Sequence, residues 1–185
     1  MTGLTILAIV VAVLGYAVYL YNDLVKNRQL SQEGWSGIDV QLKRRTDLIP
    51  NLLETVKGYM GHERETLEAV TKARADATAA SNASPEERAK VEGVLSGALG
   101  RLLAIAEAYP DLKANTTFLE FQQALQTVED ELQLSRRYYN GTVRNLNTAV
   151  ESFPSVIVAN MFKFEKAEYF ELENEADRAV PSVKF

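Results

Sequence analysis

The sequence predicts an all-α protein in which a single N-terminal transmembrane helix precedes an antiparallel up-and-down helical bundle with long helices. Three observations predict it. Residues 1–22 contain no charged side chain, although charged residues make up 24% of the chain. Apolar residues recur at helical spacing throughout the rest, and no stretch shows the period-two alternation of a half-buried strand. Long apolar stripes joined by short links favour up-and-down packing. We therefore divide the chain into an anchor (1–26), a helical bundle (27–160) and a C-terminal helix and tail (161–185).

The apolar run of eighteen residues from Leu4 to Tyr21 has the length of a membrane-spanning helix. Such a helix rises about 27 Å, close to the hydrocarbon thickness of a bilayer. A cleaved signal peptide or a buried soluble helix are the alternatives, but the run lacks a basic n-region, a small-residue cleavage site and an amphipathic stripe. Three tyrosines gather at its C-terminal end, as in an interfacial aromatic belt. The anchor residues that we single out are Leu4, Ile6, Ile9, Val13, Tyr16, Tyr19 and Tyr21.

The basic residues around the anchor predict its orientation. None precedes the apolar run, whereas Lys26 and Arg28 follow it closely. The positive-inside rule therefore places the N-terminus outside and the bundle in the cytoplasm. Ala8, Ala12 and Gly15 share one face of the anchor, and small residues at this spacing permit close packing with a second membrane helix.

The first helix of the bundle carries an apolar stripe through Trp35, Ile38, Leu42 and Ile49, in which Arg45 takes one expected apolar position. Pro50 predicts a kink or a new helix start, because proline lacks an N–H and disfavours helical geometry at the preceding residue. The stripe then continues toward Ala77. Whether this helix is continuous with the membrane helix stays open.

Further signals mark the remaining helices. Ser84 is a predicted N-cap, with Pro85 at the first helical position. Pro110 is expected to end that helix, the next one covers residues 118–150 up to Phe153-Pro154, and a short acidic helix is predicted at 166–178. The apolar stripe of the helix that begins at Pro85 is assigned to Val91, Val94, Leu95, Ala98, Leu102, Ile105 and Tyr109.

Composition excludes several classes of function. The absence of cysteine excludes disulfides, iron–sulfur clusters, thiolate zinc sites and cysteine nucleophiles. One histidine cannot supply the two Glu-x-x-His motifs of a di-iron bundle. A net charge of −5 argues against general nucleic-acid binding. Gly93, Gly97 and Gly100 lie at helical spacing, which indicates close helix packing. We expect no enzyme activity, no catalytic residue, no metal and no cofactor.

Two polar groups remain as candidate sites. A buried arginine must be paired, and Asp47, Glu54 and Glu129 are candidate partners for Arg45. Arg45 then either fixes helix register through an internal ion pair or belongs to a partner-binding patch. The C-terminal residues form a second candidate, as either a solvated helix face or a contact surface for a basic partner; they are Glu168, Tyr169, Phe170, Glu171 and Glu173.

The run IDVQLKRRTDLIPNLLETVKGYMGHE at 38–63 closely resembles the signature of the LemA family. The resemblance continues in YNDLV (21–25), AYPDLKAN (108–115), RRYYNGTVRNLN (136–147), SFPS (152–155) and the ending YFELENEADRAVPSVKF. The segment VIVANMFKFEKA differs from that family, which more usually has a glycine-containing link there. The polar residues of these motifs form a cluster of interest: Arg44, Arg45, Asp47, Asn51, Arg136, Tyr139 and Asn140.

The resemblance implies a bacterial inner-membrane protein with one transmembrane helix, a cytoplasmic helical bundle and no established catalytic residues. Members of the family are associated with membrane-linked signalling, peptide presentation, membrane proteolysis and membrane organelle formation. From the resemblance and the residues together we expect a non-enzymatic scaffold that self-assembles as a homo-oligomer on the lipid bilayer. The alternative is a monomeric adaptor that holds a membrane or cytoplasmic protein partner, such as a protease or a signalling protein.

Overall fold

The computed structural model describes residues 2–171, and within that range it is helical apart from the connections and the C-terminal segment 162–171. The α-helices are α1 (Thr2–Lys57), α2 (Arg64–Ala79), α3 (Pro85–Ala106), α4 (Pro110–Lys113), α5 (Thr116–Glu151) and α6 (Ser155–Met161). A single 3₁₀ turn, Ala80–Asn82, joins α2 to α3. The predicted all-α architecture, with an apolar N-terminal helix and an up-and-down bundle, is confirmed.

The described residues form two compact units, to both of which α1 and α5 contribute. The first unit contains residues 2–38 and 135–169, and the second contains 39–134 with 170–171. The core of the second unit lies between α1, α2, α3 and α5. Its largest fully buried side chains include Ile49, Leu52, Leu95, Leu102 and Phe118.

The helix α1 runs from the apolar segment through Pro50 without interruption, so the predicted alternative of a new helix start at Pro50 is wrong. Proline inside a helix costs about 3 kcal/mol. Burial of Ile49, Leu52 and Val56 around it offsets that cost, because each buried aliphatic side chain contributes roughly 1.5–3 kcal/mol. The chain instead leaves helical geometry between Gly58 and Glu63, so the stripe toward Ala77 is divided between two helices.

The α3 helix begins as predicted and ends earlier than predicted. The hydroxyl of Ser84 accepts a hydrogen bond from the backbone N–H of Glu87 at 3.3 Å, which confirms the N-cap. The last residue of α3 is Ala106, and Pro110 begins α4 rather than ending α3.

The face assigned to α3 from its apolar residues is partly wrong, since Val94 is exposed. The buried residues of this helix are Arg88, Ala89, Glu92, Leu95, Leu99, Leu102 and Ala106. Two charged residues, Arg88 and Glu92, therefore occupy buried positions of this helix, and a search for apolar residues alone does not find them. The helix-packing interpretation of Gly93, Gly97 and Gly100 is also wrong for the described residues, because a Cβ built on any of them meets no atom within 4 Å.

In the first unit α1 and α5 lie antiparallel and close together. A Cβ built on Gly34 would lie 3.1 Å from the Cα of Tyr139, so only glycine permits this approach without a shift. The helix α5 ends at Glu151, in agreement with the predicted end before Phe153-Pro154, and the Phe153–Pro154 peptide bond is cis. The short helix α6, for which the sequence carries no predicted start or end, follows.

The end of α6 carries a complete Schellman motif. Lys163 adopts φ 56°, in the left-handed region that favours glycine. The N–H of Phe164 then donates to the carbonyl of Ala159 at 2.9 Å, and that of Lys163 donates to Asn160 at 3.4 Å. Residues 162–171 are not helical, so the predicted acidic helix does not begin at Lys166. Its remaining positions lie outside the described residues.

Candidate functional site

The apolar N-terminal part of α1 is the most unusual surface of the first unit. It is the one helix among the described residues that is long and apolar enough to cross a membrane, and none of its eighteen-residue apolar window is buried. All the predicted anchor residues except Tyr21 are exposed: Leu4, Ile6, Ile9, Val13, Tyr16 and Tyr19. An apolar surface of this size requires a partner other than water.

Small residues form one open face of this apolar segment. Ala8, Ala12 and Gly15 are exposed, and no described atom lies within 4 Å of a Cβ built on Gly15. Tyr16 and Tyr19 stack on each other with ring centroids 6.2 Å apart. The ring of Tyr21 instead packs edge-on against Phe162 and Phe164, at 4.7 and 5.8 Å. The packed part of the first unit therefore begins at the last turn of the apolar run.

The polar motif cluster divides between the two units. In the second unit Arg45 is only 5% exposed. Its Nη2 donates to the hydroxyl of Ser96 at 2.8 Å and lies 3.3 Å from a carboxylate oxygen of Glu129, while its Nη1 lies 3.7 Å from Glu92. Glu129 is thus a correct prediction. Asp47 is exposed rather than paired with Arg45 in this network, and Glu92 supplies the partner that the sequence analysis missed.

Glu92 is fully buried, and neither of its oxygens accepts a hydrogen bond from the described residues. Burial raises the pKa of its carboxyl above 4.5, and attraction by Arg45 and Arg88 opposes the rise. Arg88 is itself buried; it pairs with Asp39 at 2.8 Å and donates to the carbonyl of Ser81 at 2.6 Å. Arg45, Arg88 and Glu92 are thus buried charges on α1 and α3, and the partly exposed Glu129 links them to α5.

A positional signal for Arg88 and Glu92 was present in the sequence. They lie four residues apart, and Leu95, Leu99 and Leu102 continue the same row with alternating spacings of three and four. A heptad row that includes charged residues, with Arg45 at a similar stripe position on another helix, indicates a buried pair. A prediction based only on the spacing of apolar residues does not identify such charged positions as buried.

Other members of the cluster are closer to the surface. Arg44 is exposed and forms an ion pair with Glu131 at 2.7 Å. Asn51 is also exposed, and its carbonyl accepts a hydrogen bond from the hydroxyl of Thr55. Arg136 and Asn140 are half-buried on the part of α5 that belongs to the first unit.

Tyr139 holds the C-terminal segment of the first unit against α5. Its ring packs on Trp35 with centroids 5.4 Å apart, and its hydroxyl donates to the carbonyl of Glu168 at 2.8 Å. Burial, together with the negative charge of Glu168, raises the pKa of Tyr139 to about 12. The amide of Asn147 makes two further bonds, to the backbone N–H and carbonyl of Ala167.

The predicted C-terminal contact surface is only partly available. The side chain of Glu168 and that of Glu171 are exposed, and Tyr169 is 40% exposed. Phe170 is fully buried, so its assignment to a contact surface is wrong. Glu173 lies outside the described residues.

Comparisons with known proteins agree with the sequence motifs. The family model described as the LemA family matches residues 34–185. A protein named LemA from Metamycoplasma hominis is 28% identical, over 84% of this chain and 72% of its own length. Magnetosome protein MamQ 2 of Paramagnetospirillum magneticum is 24% identical, over 92% of this chain and 72% of its own length. Magnetosome protein MamQ of Magnetospirillum gryphiswaldense is 24% identical, over 81% of this chain and 64% of its own length.

Proposed function

The chain belongs to the LemA family, and from this premise we propose that it is a non-enzymatic, membrane-anchored scaffold that self-assembles and organises membrane or membrane-associated proteins. The coarser description, a membrane-associated helical protein, follows from the family and the apolar helix together. None of the relatives reported above is named for a catalytic activity. We place the protein in the bacterial inner membrane, with its N-terminus outside and its bundle in the cytoplasm.

The observation that carries this proposal is the unburied apolar segment that continues without a break into the packed part of α1. A continuous helix transmits the orientation of the anchor to the residues that follow it, whereas a flexible linker would leave them free to turn. Neighbouring anchors that associate would therefore align the residues packed behind them. Alignment of this kind is what a symmetric scaffold needs.

The small-residue face supports association through the anchor. In a bilayer, helices associate by close van der Waals packing, because lipid tails are as apolar as the side chains. Ala8, Ala12 and Gly15 leave room for the backbone of a second anchor, and the space beside Gly15 is open within the described structure.

The mass of the intact particle tests the scaffold. We expect the full-length protein in mild detergent to form a discrete oligomer by mass photometry, and Gly15→Leu to disperse it while the helical circular dichroism is retained. Val10→Leu is the matched control, because it enlarges the opposite face of the same helix. A monomeric full-length particle would refute self-assembly. Persistence of the oligomer in Gly15→Leu would show that the anchor face does not drive assembly.

The monomeric adaptor is the second candidate, and exposed arginines on α5 favour it. Arg137 and Arg144 are exposed seven residues apart on one helical face, and the described structure places neither in an ion pair. This arrangement suits an acidic partner segment. If the full-length protein is monomeric, Arg137→Gln with Arg144→Gln should abolish the salt-sensitive capture of a partner from membrane extracts. Unchanged capture would exclude this face.

A further inference from the structure

We propose that the corner between α5 and α6 is a second membrane contact, which inserts its apolar side chains into the bilayer beside the anchor. The residues of this contact, which we call the corner surface, are Phe153, Ile157, Met161 and Phe162. They belong to the first unit, and their exposed fractions are 82%, 55%, 71% and 55%. The inference rests on the proposed membrane anchor and adds the depth at which the protein sits.

The register of α1 against α5 determines where this corner lies. Gly34 approaches Tyr139 and Gly37 approaches Ser135, so the two helices are antiparallel. The twelve residues from Tyr139 forward to Glu151 match the twelve residues from Gly34 back to Asn22. The helix α5 therefore ends beside the last residues of the apolar run, and Phe153 follows at its level.

Direct contacts confirm this level. Leu24 is fully buried in a cluster with Val158, Ala159 and Phe164, and Leu20 packs against the same cluster. The buried side of α6 thus faces the end of the anchor. Ile157 and Met161 lie four residues apart on the opposite side of α6, where they form an exposed apolar row.

The level of the corner beside the end of the apolar run, with basic residues close by, favours lipid as the occupant. Asp23 is the first charged residue after the apolar run, and Lys26 and Arg28 follow it. Lys163 is exposed just after the corner surface, and Lys166, also exposed, forms an ion pair with Glu151 at 2.7 Å. Arg28 lies over the ring of Phe164, with its guanidinium carbon 5.0 Å from the centroid. Apolar side chains followed within a few residues by basic ones bind favourably to a bilayer with anionic headgroups.

The absence of cysteine from the sequence makes the depth measurable on the full-length protein. We would attach a spin label to single cysteines at Ile157→Cys, Met161→Cys, Val13→Cys and Tyr138→Cys, in vesicles of phosphatidylethanolamine and phosphatidylglycerol. Collision with oxygen, which concentrates in hydrocarbon, is compared with collision with a water-soluble nickel chelate. Tyr138 is the matched control: it is 49% exposed and lies thirteen residues from the end of α5, about 20 Å along the helix.

We expect the ratio of oxygen to nickel collisions at Ile157 and Met161 to exceed that at Tyr138 several-fold and to approach that at Val13. If the ratios at Ile157 and Met161 equal that at Tyr138 while Val13 lies in lipid, the corner surface does not enter the bilayer and the inference is wrong. The proposed membrane anchor would still stand in that case. A low ratio at Val13 would overturn the anchor itself. Low collision with both reagents, lost on dilution into excess lipid, would show that a second copy of the chain covers the corner surface instead.

Discussion

The substitution Arg45→Met tests the buried charge network of the second unit most directly. It removes the cation that lies 3.7 Å from Glu92 and 3.3 Å from Glu129. Glu129 reaches solvent, but Glu92 does not, and its two oxygens have no hydrogen bond within the described residues. Removing one partner of a buried ion pair costs about 3–5 kcal/mol, because the other charge stays buried and unpaired. Glu92 lowers this cost by taking up a proton, so we expect a loss of about 3 kcal/mol near neutral pH.

The neighbouring arginine and a double substitution provide the controls. Arg44 is exposed and its ion pair with Glu131 is solvated, so Arg44→Met should cost at most about 1 kcal/mol. The double variant Arg45→Met with Glu92→Leu removes both buried charges at similar volume. Its stability should return to within about 1 kcal/mol of the original protein, since apolar replacements of buried pairs are often neutral or stabilising.

The measurement is urea unfolding of the full-length protein in mild detergent, followed by far-ultraviolet circular dichroism. Free energies of unfolding are taken from the midpoint and slope of each transition. A loss below about 1 kcal/mol for Arg45→Met would refute the reasoning, because that is the size of a surface pair. A double variant as unstable as Arg45→Met would show that Arg45 does something other than neutralise Glu92.

Three further predictions use the same unfolding measurement. Burial raises the pKa of the Glu92 carboxyl above 4.5, so the folded state binds a proton at Glu92 more tightly than the unfolded state does. As the pH rises from about 4.5, the free energy of unfolding of the original protein should therefore fall relative to that of Glu92→Gln. Parallel pH profiles of the two proteins would contradict this prediction. Gly34→Ala should lower the free energy of unfolding by about 1–3 kcal/mol through overpacking, which exceeds the gain from the higher helix propensity of alanine. Gly93→Ala, which has open space, should instead gain up to about 1 kcal/mol, and equal effects would exclude close packing at Gly34. Lys163→Gly should stabilise by about 1 kcal/mol by relieving the left-handed backbone, whereas Lys163→Ala should not; equal gains would exclude backbone strain.

Much of the fold was predictable because the signals for a helix lie close together in the sequence. The long helix before Phe153 and the N-cap at Ser84 depend on residues within a turn or two of one another, and both predictions are confirmed. The predicted helix end at Pro110 and the alternative of a new helix start at Pro50 are wrong, because proline sets only a local preference. Burial of the side chains around Pro50 outweighs that preference. The helices that bury these side chains lie far from Pro50 in the sequence, so a local pattern does not reveal them.

In the candidate site, too, local features could be predicted from the sequence and contacts between distant segments could not. Pairing of Arg45 with a carboxylate was predictable, since an unpaired buried charge is too costly. Glu129 was among its candidate partners, but Glu92 was not, because α3 brings Glu92 to Arg45 from a distant part of the chain. The buried position of Phe170 has a similar origin in packing that the acidic composition around it does not reveal.

By itself, the sequence determined what depends on the order of neighbouring residues: the uncharged apolar helix, the helical class, the long helices and the family motifs. The tertiary structure alone decided which helices meet, and at what register. It continued the membrane helix through Pro50, buried Glu92 beside Arg45, and placed α6 against Leu20 and Leu24 with its apolar row exposed. The physical reason is that helical periodicity states which face of a helix is apolar, whereas the partner of that face depends on packing between segments far apart in the chain.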